Sequence, residues 1–218
     1  MATIAVVTSS PAYIAFEGPE GSGKSTQAQR LADSIGAVLT RETGGTTVGA
    51  RIRELLHDRS IPHIDPRAEA LLTAADRAQH LAEVVRPALA EGRSVVSDRS
   101  VYSTLAYQGY GRQLDLDEVR RLNEWATSGL WPSTIVFLDT PDDVIAERMS
   151  RRDLDRFEVA GGAFHARVLD GFRTMAADDP ARWVVVAAVG SVDQVAAEIR
   201  RVLVERGVIA DPDAPVRP

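Results

Sequence analysis

The stretch Ile14–Gln27, IAFEGPEGSGKSTQ, constrains this chain more than any other. Gly18 is followed by four residues and then by Gly23-Lys24-Ser25, the phosphate-loop spacing G-x-x-x-x-G-K-[ST]. Its flanks agree: Tyr13–Phe16 reads as a short buried strand and Ser25–Ile35 as a helix closed by Gly36. Glycines let successive backbone N–H groups turn toward phosphate oxygens, and the helix that follows presents its positive end to them. The pattern makes a nucleotide cradle of Gly18, Pro19, Glu20, Gly21, Ser22, Gly23, Lys24, Ser25 and Thr26. Lys24 is assigned to the β- and γ-phosphates and Ser25 to Mg2+. Among 25 Lys and Arg, Lys24 is the only lysine. A lysine kept only here fits a site that needs a compact, flexible ammonium and not a guanidinium fork.

The 218 residues suffice for one α/β domain with a full core. A net charge of −6 leaves no global basic field for nucleic acid, so anionic ligands must be held by local arginines. There is no cysteine, hence no disulfide, thiolate metal site or thiol nucleophile. His57, His63, His80 and His165 lack zinc-ligand spacing. Met1–Ser10 is mildly apolar, lacks a basic leader and is too short to span a bilayer. It reads as a tail or an added strand, and the chain as cytoplasmic with no membrane partner. The division expected is a tail over 1–11, one domain over 12–210, and a disordered Pro- and Asp-rich end over 211–218.

Further along, strands are expected at 37–40, 94–99, 134–139 and 183–187. Helices are expected at 48–57, from Asp65-Pro66 to about 91 with a kink at Pro87, at 100–109, 115–128, 142–149, 163–177 and 192–206. Strands alternate with helices, which predicts an α/β fold: a five-stranded parallel sheet with helices on both faces. Residues 151–162, charged and ending in two glycines, read as a short lid. The third strand ends abruptly in Asp98-Arg99, and ligands of open parallel sheets sit at the carboxyl ends of strands. Asp98 either ligates a metal there or caps the next helix.

The guanine-reading Asn-Lys-x-Asp loop of GTPases needs a second lysine, which this chain lacks, and its length disfavours a large motor or transporter ATPase. What remains is a small kinase with a second anionic substrate. Here the chain resembles the bacterial thymidylate kinases, of the nucleoside monophosphate kinase superfamily. The landmarks are FEGPEGSGKST (Phe16–Thr26), TRETGGT (Thr40–Thr46), PRAEALLTAADRAQH (Pro66–His80), SDRSVYSTLAYQG (Ser97–Gly109) and Leu154-Asp155-Arg156 in the lid. The resemblance implies ATP and Mg2+, dTMP as acceptor, and a homodimer. It also implies roles. Arg99 bridges donor and acceptor phosphates, and Asp98 and Glu17 lie near Mg2+ and the acceptor. Arg53 holds the acceptor monophosphate. Arg77, Gln108 and Thr104 meet the base, with Ser103 beside them and Glu42 from the Arg-Glu pair. The loop has Gly21-Ser22 where some relatives place a catalytic arginine, so the resemblance passes that charge to Arg151, Arg152 or Arg156.

Four positions depart from the family pattern. Thr73 stands where a phenylalanine commonly stacks on thymine, Ser100 replaces an aromatic, Tyr102 replaces Asp or Leu, and Thr43 replaces proline. Either Tyr102 or another aromatic re-enters the base pocket, or the acceptor is a different or modified pyrimidine nucleotide. A catalytically silent nucleotide-binding protein is disfavoured, because Lys24, Asp98 and Arg99 are all present.

Overall fold

The structure, a computed structural model, describes residues 10–149 and 161–211. The expectations for residues 1–9, for 212–218 and for Arg151, Arg152 and Arg156 lie outside these residues.

In chain order the elements are β1 (Tyr13–Glu17), α1 (Lys24–Ile35), β2 (Val38–Arg41), α2 (Thr47–His57), α3 (Pro66–His80), α4 (Arg86–Ala90), β3 (Val95–Asp98), α5 (Val101–Thr104), α6 (Leu116–Thr127), β4 (Thr134–Asp139), α7 (Asp142–Met149), α8 (Gly162–Asp178), β5 (Trp183–Ala187) and α9 (Val192–Glu205). The strands form one sheet in the order β2-β3-β1-β4-β5, and all four neighbouring pairs are parallel. Register aligns Phe16 with Asp98 on one side and with Val136 on the other. The carboxyl ends of β1 and β3 therefore lie side by side, and the phosphate loop leaves β1 between two neighbours.

The central strands β1, β3 and β4 are buried on both faces, whereas the edge strands β2 and β5 leave alternate residues exposed. Along β4, Val136 and Leu138 join Ile14, Phe16, α1 (Ala28, Leu31) and α9 (Ile199, Leu203). Alternate residues Ile135 and Phe137 join Leu105, Phe172 and Trp183 on the other face. The Phe137 and Phe172 rings stack with centroids 5.6 Å apart. Burial on both sides explains why β1 and β4 are continuous apolar runs, not alternating ones.

Local chemistry fixes the helix starts. Asp65 accepts from Arg67 N at 2.8 Å, with Pro66 at the first helical position. Thr46 caps α2 by accepting from Gly49 N. Two departures from regular helix matter. Between α3 and α4, residues Leu81–Val85 widen into a π turn, and Arg86 N–H reaches back five residues to the Leu81 carbonyl. The break expected at Pro87 is thus absorbed just before the proline. The helix expected over 100–109 is α5 followed by a π-helical segment, Leu105–Gly111. π turns of this kind recur at functional sites.

Candidate active site

A cavity of about 570 Å3 opens at the carboxyl ends of β1, β2 and β3. At one end lies the phosphate loop. Gly18 has φ +143°, and a Cβ there would meet the Leu138 carbonyl at 2.9 Å; Gly23, the N-cap of α1, has φ +93°. Both positions need glycine. Lys24 is buried, and its Nζ donates to the Pro19 carbonyl at 2.7 Å and to Ser22 Oγ at 3.4 Å. Burial, aided by the nearby Arg99 charge, lowers its pKa to about 8. Ser25 Oγ donates to Asp98 Oδ2 at 2.5 Å, while Asp98 Oδ1 is buried without a partner among the described residues. Asp98 does not cap the next helix: Ser100 Oγ accepts from Tyr102 N.

Arg99 sits at φ +73°, a left-handed conformation that non-glycine residues rarely adopt. Its N–H is held by the Phe16 carbonyl at 2.9 Å and its carbonyl by Ser97 Oγ at 2.7 Å. Its guanidinium pairs with Glu20, donates to Ser103 Oγ at 3.0 Å and lies 5.1 Å from the Tyr107 ring centroid. Burial works against the Glu20 charge, but Arg99 and Lys24 outweigh it and hold the carboxyl well below the usual range. Glu17 stands one layer behind the wall. It is fully buried and accepts from Ser100 Oγ at 2.7 Å and from Ser103 Oγ at 2.6 Å. Burial raises its pKa, against the pull of Arg99 and the two hydroxyls. Its reach to the cavity runs through Ser103, which does line it.

The other end is built on α2, α3 and the helical stretch after β3. Arg53 lines it, and its Nη1 donates to the Thr43 carbonyl at 3.3 Å. The Glu42–Thr43 peptide bond is cis. Thr73 and Arg77, one helical turn apart, both face the cavity, with Thr104 and Gln108 opposite; Thr104 Oγ1 donates to Thr73 Oγ1 at 3.3 Å. Arg77 is held from behind by Glu42 at 2.7 Å, by Asn123 and by the Ser100 carbonyl at 3.1 Å. Glu42 also meets His80 Nδ1 at 2.8 Å. Burial pushes the Glu42 pKa up, but Arg77 and His80 reverse this and leave it lowered.

Among the described residues, most of the sequence-predicted ones line this one cavity; Glu17 stands behind its wall, and Gly18, Pro19 and Ser22 of the phosphate loop do not line it, while Arg151, Arg152 and Arg156 lie outside the described residues. The structure does not bring Tyr102 into it. Tyr102 packs edge-on against Trp131 and Trp183 and its hydroxyl accepts from Arg182 at 2.9 Å, because this side of α5 faces the sheet. The aromatic on the wall is Tyr107. Ser100, where the family pattern has an aromatic, is fully buried against Glu17.

Several supporting residues were given no role by the sequence: Glu69, Asp76 and His80, although they lie within the Pro66–His80 landmark, and Asn123 and Arg148, which lie in no motif. Arg148 lines the cavity and donates to the Gly21 and Ala188 carbonyls, at 3.2 and 3.3 Å. Its place on α7, just before the charged stretch 151–162, was the available signal.

A parallel sheet in this order, a phosphate loop after β1 and an Asp-Arg pair ending β3 define the class: a P-loop kinase of nucleoside monophosphate kinase type. The comparisons narrow it. The thymidylate kinase family model matches residues 16–199. A thymidylate kinase of Exiguobacterium sp. is 45% identical over 200 residues, covering 89% of this chain and 94% of that protein. One from Leifsonia xyli subsp. xyli is 48% identical over 196 residues, covering 86% and 92%. The solved thymidylate kinase of Ehrlichia chaffeensis superposes with a TM-score of 0.74 at 30% identity, covering 89% of this chain and 98% of that one. The chain belongs to the thymidylate kinase family.

Proposed function

We propose that this chain transfers the γ-phosphoryl group of ATP to dTMP, giving ADP and dTDP for dTTP synthesis. The observation that carries the proposal is one cavity with two kinds of wall. Lys24, Asp98 and Arg99 stand at one end, and Arg53, Thr73, Arg77 and Gln108 at the other. Phosphoryl transfer asks mainly for alignment and for neutralising charge on the group in flight. The N–H groups from Gly18 to Thr26 and the Lys24 ammonium hold the donor phosphates. Arg99 leaves Glu20 for the oxygens between donor and acceptor, where its charge counts most in the transition state. Arg53 holds the acceptor monophosphate, and Arg77, Thr104 and Gln108 meet the thymine edge, with Glu42 keeping Arg77 in place. Ser25 and Asp98 fit Mg2+: they offer hard oxygens, and Asp98 Oδ1 is a buried carboxylate oxygen with no other partner among the described residues. A divalent cation bound there supplies further charge neutralisation at the β- and γ-phosphates. We propose that at least one of Arg151, Arg152 and Arg156, from the charged stretch 151–162, supplies the remaining charge.

We assign residues 12–210 to a single kinase domain acting as a cytoplasmic homodimer, without nucleic-acid or membrane partners. Among the described residues no helix is long and apolar enough to cross a membrane. A coupled ADP-release assay with ATP and Mg2+ against dTMP, dUMP, UMP, dCMP, CMP, AMP and GMP tests the activity. dTMP is expected to turn over best. Preference for another acceptor, or turnover of none, refutes the proposal.

A further inference from the structure

Gln108 lines the acceptor end of the cavity from the π-helical segment Leu105–Gly111, one helical turn beyond Thr104. Its Nε2 donates to Glu69 Oε1 at 2.9 Å. Glu69 lies on α3, one turn before Thr73, and has no exposed surface. Arg112, the residue that ends the π segment, donates to both Glu69 oxygens at 3.2 Å and rests over the Phe164 ring at 4.6 Å. A buried carboxylate needs such a partner to stay charged.

We infer that Glu69 is a positioning residue that sets pyrimidine selection by fixing which end of the Gln108 amide faces the acceptor. The inference rests on the reading of this end of the cavity as the base site. A carboxylate accepts hydrogen bonds and gives none, so only the NH2 end of Gln108 satisfies Glu69. That leaves Gln108 Oε1, an acceptor with no hydrogen-bond partner among the described residues, for the ligand. Thymine and uracil carry a proton on N3; cytosine carries a lone pair there. The held carbonyl therefore accepts from N3–H of thymine or uracil and opposes N3 of cytosine. The device does not sense the 5-methyl group, so it separates dTMP from dCMP and leaves dTMP against dUMP to other contacts.

The test is kcat and KM of the full chain for dTMP, dUMP and dCMP, with ATP and Mg2+ fixed. In Glu69→Gln one oxygen becomes a donor, Arg112 and Gln108 compete for the remaining acceptor, and the Gln108 amide is released. KM for dTMP and for dUMP should rise together by about tenfold, with kcat within about twofold. The dTMP-to-dCMP ratio of kcat/KM should fall by about tenfold, and the dTMP-to-dUMP ratio should hold. The double variant Glu69→Met/Arg112→Met replaces the pair by apolar chains of similar length, which keeps the region packed if the single variant does not fold. It should show the same loss of selectivity. An unchanged dTMP-to-dCMP ratio in these variants overturns the inference, as does a wild-type enzyme that does not discriminate against dCMP. Gln108→Met separates the two levels. If it lowers the ratio while the Glu69 variants do not, the role of Glu69 alone is wrong; if it leaves the ratio intact, the base-site reading falls with it.

Discussion

Arg99, on the cavity wall, and the fully buried Asp76 show how the environment, not residue type, sets what a side chain does. Arg99 is pre-aimed: a left-handed backbone, fixed by Phe16 and Ser97, points its guanidinium along the phosphate loop at Glu20. Arg99→Ala should lower kcat about a hundredfold to a thousandfold and change KM for the acceptor much less, because its charge is needed most in the transition state. Steady-state kinetics with an unchanged kcat would remove that role. Asp76 is the opposite case. Its Oδ1 accepts from Gly44 N at 2.9 Å, but its Oδ2 is buried without a partner among the described residues. Burial pushes its pKa up to about 6; the Glu42 charge adds to this, and the Gly44 N–H, Arg77 and His80 oppose it. An unfolded aspartate titrates near 3.9, so from about pH 4 to 6 the native state keeps a proton that the unfolded chain has lost. That stabilisation is complete below about pH 4 and is lost as pH rises through about 6. Asp76→Asn keeps an acceptor for Gly44 and does not titrate. Its stability relative to wild type should improve by about 1 kcal/mol between pH 5 and pH 8 and level off above about pH 7. Urea unfolding at several pH values reads this directly, and a difference that does not vary with pH refutes it.

At the scale of elements, the acceptor end depends on how closely α2 approaches α3. A Cβ on Gly49 of α2 would stand 2.2 Å from Asp76 Oδ1 and 3.0 Å from Thr46 Oγ1. Gly49→Ala must therefore push α2 outward, and Arg53 moves with it. The variant should lose about 1–3 kcal/mol of stability, and KM for dTMP should rise several-fold while KM for ATP holds. Equal rises in both constants would mean a general loosening instead. Much of this frame was legible in the sequence. The strands 134–139 and 183–187 were readable to the residue because apolar runs stop at polar turns, and Asp98-Arg99 marks a strand end by the same contrast. The supports were not legible. Glu69, Asp76, His80 and Asn123 are polar residues on helices, and in sequence a polar helix position reads as solvent-facing. They are buried because each finds a partner on another element, as His80 does with Thr40 and Glu42, and such pairings are set by tertiary packing that no local pattern encodes. Tyr102 and Tyr107 fail for a related reason. They lie five residues apart, and α5 and the π segment that follows decide which of them faces the sheet and which the cavity.

At the scale of the molecule, the sheet collects the phosphate-handling residues at the carboxyl ends of its strands, while α3 joins the acceptor site to the outer surface. One side of α3 presents Thr73 and Arg77 to the cavity; Leu71, on the same helix, is 57% exposed. α2 and α6 pack on either side of α3 and leave Val48, Leu55 and Trp125 in solvent, with Trp125 82% exposed. Three adjoining helices that each expose a large apolar side chain fit an isologous contact with a second copy, the arrangement proposed above for the homodimer. Leu71→Arg combined with Trp125→Arg should then halve the mass measured by light scattering, from two chains to one of 23.6 kDa. It should do so without unfolding, because both side chains face solvent within the single chain. Since α3 also positions Arg77, the monomer should bind dTMP more weakly, with a several-fold higher KM, and should keep its KM for ATP, which we place at the phosphate loop at the other end of the cavity. A wild-type chain that is monomeric at micromolar concentration would sink the dimer outright. A clean monomer with unchanged dTMP affinity would instead mean that Glu42, Asn123 and Ser100 alone suffice to hold Arg77, and that the subunit contact does not tune the acceptor site.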